Sequence, residues 1–310
     1  MDTPSGTHGG LRHGALFHAG RRHYKTAVAG FIRDGLSRRE PVLVAVPAGR
    51  ERMLRDVLGP RVTEVAFVDM AVLGRNPSRI IPFLWQFADR HPAERVRIVA
   101  EPAWPGRNAD EDREIGRHEA LINQAFAGAA AAIVCPYDTR RLATPVLADA
   151  RRTHPELAGG GSWQPNPNYL GPAVPAAANT PLPAPPATAQ VITYGSDLHR
   201  VRELVEQHAS KAGLSADRTA DLVIAVSELA ANTLRHSTGG GTVHIWRDSA
   251  QILCQVHDDG QLADPLAGHR PFTHHLQDQG LWVVNQLCDL VQIRNGAAGT
   301  TIRLQMSLDR

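Results

Sequence analysis

The chain has 310 residues, enough for two domains of ordinary size. It is 43% hydrophobic and 21% charged, with 33 Lys+Arg against 31 Asp+Glu and a formal net charge of +2. That composition excludes a disordered chain, and that charge excludes the basic footprint that binding along a nucleic-acid backbone requires. Cys135, Cys254 and Cys288 show no metal-ligand spacing and read as reduced thiols of a cytoplasmic protein. Met1 to Arg12 has no apolar core of a signal peptide, and no apolar run reaches membrane-spanning length.

In chain order, Gly14–His18 reads as a short strand and Tyr24–Leu36 as a helix. Pro41–Pro47 (PVLVAVP) is a continuous β-branched run of the buried parallel type, followed by a helix over Arg50–Leu58. Val62–Asp69 and Val96–Glu101 read as strands, Ser78–Arg90 and Glu111–Phe126 as helices, and Ala130–Cys135 as a further strand. Alternating strands and helices predict a doubly wound α/β layer structure over residues 1–157. From Gly159 to Gln190 the chain is dense in Pro, Gly, Ala and Asn, and residues 158–190 read as an extended spacer.

Residues 191–310 follow a different order. Leu198–Ala212 and Ala216–Arg235 read as helices, the second with Ser215 ahead of it as an N-cap neighbour. Strands follow at Gly241–Asp248 and Ala250–Asp258, then a polar loop, a helix at Gly280–Leu287, and strands at Leu290–Asn295 and Gly299–Met306. Helices beside a mostly antiparallel sheet predict an α+β sandwich.

Within it, Glu228, Asn232 and His236 are spaced i, i+4, i+8 and share one face of an otherwise apolar helix. Alone, that stripe is most simply the solvated side of an amphipathic helix. Downstream, Asp258 ends a strand two residues before Gly260, a place where a carboxylate can accept a hydrogen bond from an exocyclic amine. Gly280-Leu281 opens a helix whose free N–H groups suit a polyphosphate. Gly299-Thr300-Thr301 begins the last strand, with hydroxyls placed to reach the floor of an adenine pocket. The ordered set is far more specific than any single piece.

These residues match a pattern. Asp197 to Ser307 resembles the GHKL (Bergerat-type) ATPase superfamily, and within it the anti-sigma-factor serine/threonine kinases. Glu228-Leu229, Asn232 and His236 stand as its N box, Asp258 and Gly260 as its adenine box, Gly280-Leu281 as its lid-flanking box, and Gly299-Thr300-Thr301 as its last box. The resemblance implies that Asn232 holds Mg²⁺ bridging the ATP phosphates, and that Glu228 is the general base for an attacking hydroxyl. It implies that Asp258 reads the adenine amino group with support from Thr301, and that residues 265–279 form a lid. His236 receives no catalytic role. One departure is Asp278, which stands where the family usually has a further glycine; a carboxylate there opposes phosphates. A two-component histidine kinase would need a phospho-accepting His on a dimerisation helix just upstream, where the Pro-rich stretch stands.

The first domain resembles the MEDS sensory domain. The strings that carry this are His13-Gly14 with His18 and Tyr24, Gly74-Arg75-Asn76-Pro77, Glu101-Pro102-Ala103-Trp104-Pro105-Gly106-Arg107, His118-Glu119-Ala120 and Cys135-Pro136-Tyr137-Asp138. The resemblance implies a RecA-like α/β fold with a ligand-sensing role. After PVLVAVP, Ala48-Gly49-Arg50 lacks the G-x-x-x-x-G-K-[ST] of a phosphate loop, which argues against an ATPase here. His13, His18, Glu101, Trp104, Arg107 and His118 are the candidate sensory residues. His13, His18, Glu101, His118, Glu119 and Cys135 are metal ligands in type, although capping and hydrogen bonding at loop ends account for such residues more often. Trp104 is either a loop anchor or the wall of a crevice.

Together the resemblances imply a sensory domain controlling an ATP- and Mg²⁺-dependent protein kinase that acts on an anti-sigma-factor antagonist or captures a sigma factor. The alternative is a catalytically silent, nucleotide-gated sequestering module, which Asp278 favours. Neither nucleic acid nor a membrane is expected as a partner, and a homodimer is compatible with the resemblance.

Overall fold

The computed structural model describes residues 10–159, 161–172, 179–270 and 279–308, which fall into two compact units dividing between 178 and 179. Asp278, most of the expected lid and part of the expected spacer lie outside the described residues.

The first unit runs β1 (Arg12–His18), α1 (Arg21–Ser37), β2 (Val42–Val46), α2 (Ala48–Leu58), β3 (Val65–Asp69), α3 (Met70–Leu73), α4 (Ile80–Asp89), β4 (Val96–Ala100), α5 (Ala109–Ala125), β5 (Ala131–Asp138), α6 (Thr144–Thr153), β6 (Glu156–Gly159) and β7 (Ser162–Pro165). The sheet order is β3-β2-β4-β5-β1-β6-β7, parallel except for the antiparallel β6–β7 pair at the edge. Every residue of β2, β4 and β5 is buried, which is why these segments read as unbroken apolar runs: helices cover both faces. On one face Tyr24, Val28, Ile32 and Leu36, at four-residue spacing along α1, pack with Leu16, Val44 and Val134. Each such burial contributes about 1.5–3 kcal/mol. On the opposite face of β1 and β5, His13, Cys135 and Tyr137 hydrogen-bond to α5 instead. Helix α5 starts sharply because Asn108 and Glu111 form a capping box and Asp110, Glu111 and Asp112 fill its first turn.

The second unit adds β8 (Gln190–Tyr194), α7 (His199–Ala212), α8 (Ala216–His236), β9 (Gly241–Arg247), β10 (Gln251–Asp258), α9 (Gly280–Leu287), β11 (Leu290–Gly296) and β12 (Gly299–Ser307). Its sheet is antiparallel throughout, in the order β11-β12-β10-β9-β8. Val201, Val205 and Ala209 of α7 and Leu222, Val226 and Leu229 of α8 pack on Val243, Ile245, Cys254, Val256, Leu304 and Met306 of the sheet. Ser215 caps α8 through Arg218 N, and Gly213 ends α7 in the left-handed conformation at φ 92°. Among the described residues no helix is long and apolar enough to cross a membrane.

The spacer expected over residues 158–190 needs correction at both ends. Strands β6 and β7 occupy its first residues, and β8 with Asn179 to Pro183 belongs to the second unit. Composition hid the first pair because its apolar content is concentrated in Leu157 and Trp163. The Trp163 ring lies where a Cβ on Gly14 would sit, 2.6 Å away, so that glycine admits the ring against β1. Pro165 sits at the end of an edge strand, where a missing N–H is tolerated.

Candidate functional site

In the second unit a cavity of about 440 Å³ opens between α8, the end of β10, the start of α9 and β12. Asn232, Asp258, Gly260, Leu281 and Thr300 line it, joined by residues that the sequence did not single out, among them Arg270 and Trp282. Helix α8 supplies Glu228 and Asn232 one turn apart, both partly buried. They converge on the first residue of α9. A Cβ on Gly280 would lie 3.0 Å from Glu228 Oε2 and 3.1 Å from Asn232 Nδ2, so only glycine lets both side chains reach the helix N-terminus undisturbed. Asn232 Oδ1 accepts a hydrogen bond from Arg235 Nη2 at 2.5 Å.

The Asp258 carboxylate is held at both oxygens. Gly260 N donates to Oδ1 at 2.9 Å and Thr233 Oγ1 donates to Oδ2 at 2.7 Å. Thr233 in turn accepts from Tyr194 OH at 2.9 Å. Burial pushes the Tyr194 phenol up to about 12, so it stays a donor at any physiological pH. The result is a carboxylate fixed in orientation at the cavity edge, with lone pairs left for a ligand donor. Gly299 has φ 117°, and a Cβ there would lie 1.9 Å from Asp258 O. Its role is steric: it lets β12 start hard against the end of β10. Thr300 lies opposite Asp258 and donates its hydroxyl to Gly260 O at 2.8 Å, with Asn295 Oδ1 at 3.1 Å. Thr301 does not line the cavity. Strand alternation turns it to the other face, where its hydroxyl pairs with His257 Nδ1 at 2.9 Å, so of the two threonines it is Thr300 that borders the cavity. Thr233 and Tyr194 were not foreseen. Thr233 directly follows Asn232, while Tyr194 sits on β8, a strand at the very start of the second domain that was not anticipated.

Residues 12–155 match the family model for MEDS, the MEthanogen/methylotroph, DcmR Sensory domain, and residues 195–306 match the histidine kinase-like ATPase domain. The chain joins a MEDS sensory domain to a histidine kinase-like ATPase domain. No curated protein matches the chain. Among solved structures it is similar to the RsbU and RsbW domains of Rv1364c from Mycobacterium tuberculosis, at 23% identity and TM-score 0.30, over 39% of this chain and 32% of that one. It is also similar to the Acinetobacter baumannii histidine kinase AdeS (15%, TM-score 0.28, 40% of this chain and 68% of that one). A third likeness is the Erythrobacter litoralis EL346 blue-light activated histidine kinase (20%, TM-score 0.27, 38% and 42%). The chain thus spans about a third of the length of the first of these.

Of the six candidate sensory residues in the MEDS domain, Glu101 and Trp104 line one crevice and Arg107 lies over the Trp104 ring, whereas His13 and His118 are buried. Glu101 follows β4, accepts from Tyr24 OH at 2.8 Å and pairs with Arg50 at 3.3 Å. Burial pushes its carboxyl up to about 7. Arg50 also reaches Asp138 at 3.4 Å and lies 4.2 Å above the Tyr24 ring. His18, at the end of β1, stacks edge-on to Tyr24 and is held down to about 4 by burial. Past the ends of β2 and β4, where successive crossovers turn to opposite sides of the sheet, lies a crevice of about 960 Å³. Arg21, Arg22, Lys25, Arg50 and Arg52 line it together with Trp104 and Glu101. Trp104 is therefore both crevice wall and anchor, since Arg107 lies 3.6 Å over its ring and donates to Pro102 O and Gly74 O. His118 is buried on α5, and its ring is held down to about 4 by burial. His13 meets Glu119 and Cys135 in the layer between the sheet and α5.

Proposed function

We propose that the ATPase domain binds Mg-ATP and transfers the γ-phosphoryl group to a serine or threonine of a partner protein in the cytoplasm, under control of the MEDS domain. The partner on this reading is an anti-sigma-factor antagonist, or a sigma factor that the domain captures. The observation that carries the reading is the meeting of Glu228 and Asn232 on Gly280 at the N-terminus of α9, beside the cavity that Asp258 borders. The oxygen donors fit a hard cation: Asn232 Oδ1 would hold Mg²⁺, which supplies neutralisation of the phosphate charge when bound. Glu228 accepts the proton of the attacking hydroxyl. Asp258, oriented by Thr233 and Gly260, accepts from the adenine amino group, and Thr300 keeps the strand end beneath it. For the MEDS domain, the doubly wound parallel sheet supports a RecA-like fold, and the crevice past β2 and β4 supports ligand sensing.

The experiment is calorimetric titration of the full chain with Mg-ATP, followed by phosphate transfer from labelled ATP to a serine-bearing anti-sigma-factor antagonist. Asn232→Ala is expected to abolish Mg-ATP binding. Glu228→Ala is expected to keep it within about threefold while transfer falls at least ~100-fold. Undiminished transfer by Glu228→Ala removes the base assignment. One observation favours a second reading: the oxygen assigned to Mg²⁺ already accepts from Arg235. There the domain binds nucleotide or partner and transfers nothing, and wild-type protein shows binding without transfer.

A further inference from the structure

Four ligand-type side chains of the MEDS domain converge where α5 and α6 cover the sheet. They are His13 on β1, Cys135 on β5, Glu119 on α5 and His154 just past α6, all buried, with one ligand atom of each within 4.8 Å of every other. The shortest approaches are 3.2 Å from Glu119 Oε2 to His13 Nε2 and 3.2 Å to His154 Nε2. Cys135 Sγ lies 3.5 Å from both His13 Nε2 and Glu119 Oε2. Bonds of 2.0–2.3 Å to a tetrahedral centre give ligand–ligand edges of roughly 3.3–3.8 Å. Four of the six edges, at 3.2–3.5 Å, lie close to that frame, and the other two lie within 4.8 Å.

The tautomers point the same way. Asn123 Nδ2 donates to Thr153 O at 2.7 Å, which leaves Asn123 Oδ1 to accept from His13 Nδ1 at 2.9 Å. His154 Nδ1 donates to Ala150 O at 2.8 Å. In its neutral form each ring therefore carries its proton on Nδ1 and aims an Nε2 lone pair at the same carboxylate oxygen. His154 Nε2 has no hydrogen-bond partner, and it is fully buried. Two imidazole lone pairs facing a carboxylate oxygen away from water repel unless positive charge lies between them. The outer oxygen, Glu119 Oε1, accepts from Tyr137 OH at 2.8 Å, so the carboxylate too is aimed from behind. Outer hydrogen bonds on the far nitrogen of each imidazole and on the far oxygen of the carboxylate are the support that metal ligands receive.

We propose that His13 Nε2, His154 Nε2, Glu119 Oε2 and Cys135 Sγ bind one divalent cation of the zinc class in a closed tetrahedral site. The carboxylate and a thiolate bring two negative charges, which a divalent ion cancels; the thiol proton leaves to solvent as the ion enters. The N₂OS donor set suits zinc or cobalt(II) and not magnesium or calcium. All four positions are supplied by protein, so the ion ties β1, β5, α5 and the end of α6 together and does not present an open catalytic position. This site is separate from the Mg-ATP reading and does not depend on it.

The test uses the full chain, stripped with a chelator and titrated with Co²⁺ and then Zn²⁺. The expected result is one equivalent of Co²⁺ with tetrahedral visible absorption and a thiolate-to-cobalt charge-transfer band, both lost when one equivalent of Zn²⁺ displaces it. Thermal unfolding of the MEDS domain shifts upward on loading. Cys135→Ser loses the charge-transfer band, while Cys254→Ser with Cys288→Ser, in the other domain, keeps it. Wild-type protein that takes up no stoichiometric ion, or whose band survives Cys135→Ser, overturns the proposal. The wild-type titration decides the matter even if a ligand variant fails to fold.

Discussion

In the MEDS domain Glu119 is 1% exposed and faces two imidazoles, a thiol and a phenol, so all its polar surroundings are side chains of the same domain. In the ATPase domain Asp258 is also held at both oxygens, by Thr233 and Gly260, but it stands at the edge of an open cavity. The first carboxylate is aimed inward at a point shared with other ligands; the second is aimed at space. Burial gives the first strong local interactions but nothing for solvent to exchange, whereas partial exposure lets the second trade water for a ligand at small cost. The same contrast separates a group that shapes a fold from one that recognises a molecule.

The largest blow to the cavity side of this contrast is Gly299→Ala. With φ at 117° and the added Cβ 1.9 Å from Asp258 O, the strand end that carries Asp258 has to move. A loss of at least about 4 kcal/mol is expected, read as a lowered denaturant midpoint for the ATPase domain. Stability equal to wild type would mean that β12 does not need to meet β10 there.

The buried side is tested by pH. Glu101 is raised from 4.5 to about 7 by burial, so the folded domain keeps a proton that the unfolded chain releases. Its contribution is fully present below pH 4.5 and is lost, by roughly 3 kcal/mol, as pH rises to about 7. His18 is lowered from 6.5 to about 4, so its contribution is lost as pH falls from 6.5 to about 4. Between pH 4.5 and 6.5 the two slopes oppose. Glu101→Gln should remove the first and leave stability rising with pH across that window, as urea midpoints at successive pH values would show. A profile unchanged from wild type would place Glu101 outside this balance.

A smaller effect sharpens the cavity side. Thr233→Val removes the donor to Asp258 Oδ2 and the acceptor for Tyr194. ATP affinity should fall about tenfold, the size of one charge-assisted hydrogen bond. Thr301→Val, on the other face of β12, should change affinity by less than about twofold, and a larger loss would restore it to the site.

That pair of threonines shows what was legible in the sequence. The polar residues of α8 stood out because Glu228 and Asn232 interrupt an apolar helix at a spacing that fixes a shared face. Gly280 and Gly299 stood out because one opens a helix whose free N–H groups suit a polyphosphate and the other begins Gly299-Thr300-Thr301 at the start of the last strand. Which threonine shares a face with Asp258 depends on register, and the pairing of Asp258 with Thr300 is set by strand contacts far apart in sequence. His154 escaped notice because α6, which delivers it, was not read as a helix. Tyr194 escaped because β8, a five-residue strand directly after the Pro-rich stretch, was not read as a strand. Local patterns revealed what a single element dictates; convergence of elements had to be seen.

One further consequence concerns the outer face of the ATPase sheet. There Arg294 donates to Thr180 O and Arg303 to Pro183 O, while Arg303 also donates to Gln255 Oε1. The segment before β8 is recognised at these points by its backbone carbonyls, and at one further point by a side chain, Asn179, whose Nδ2 donates to Asn295 O and whose Oδ1 accepts from Asn295 N. Positions held only by their carbonyls can change so long as the chain keeps its path, whereas Asn179 and the two arginines cannot. A stretch that looks like low-information filler is thereby tied to its domain by an address written in the sheet.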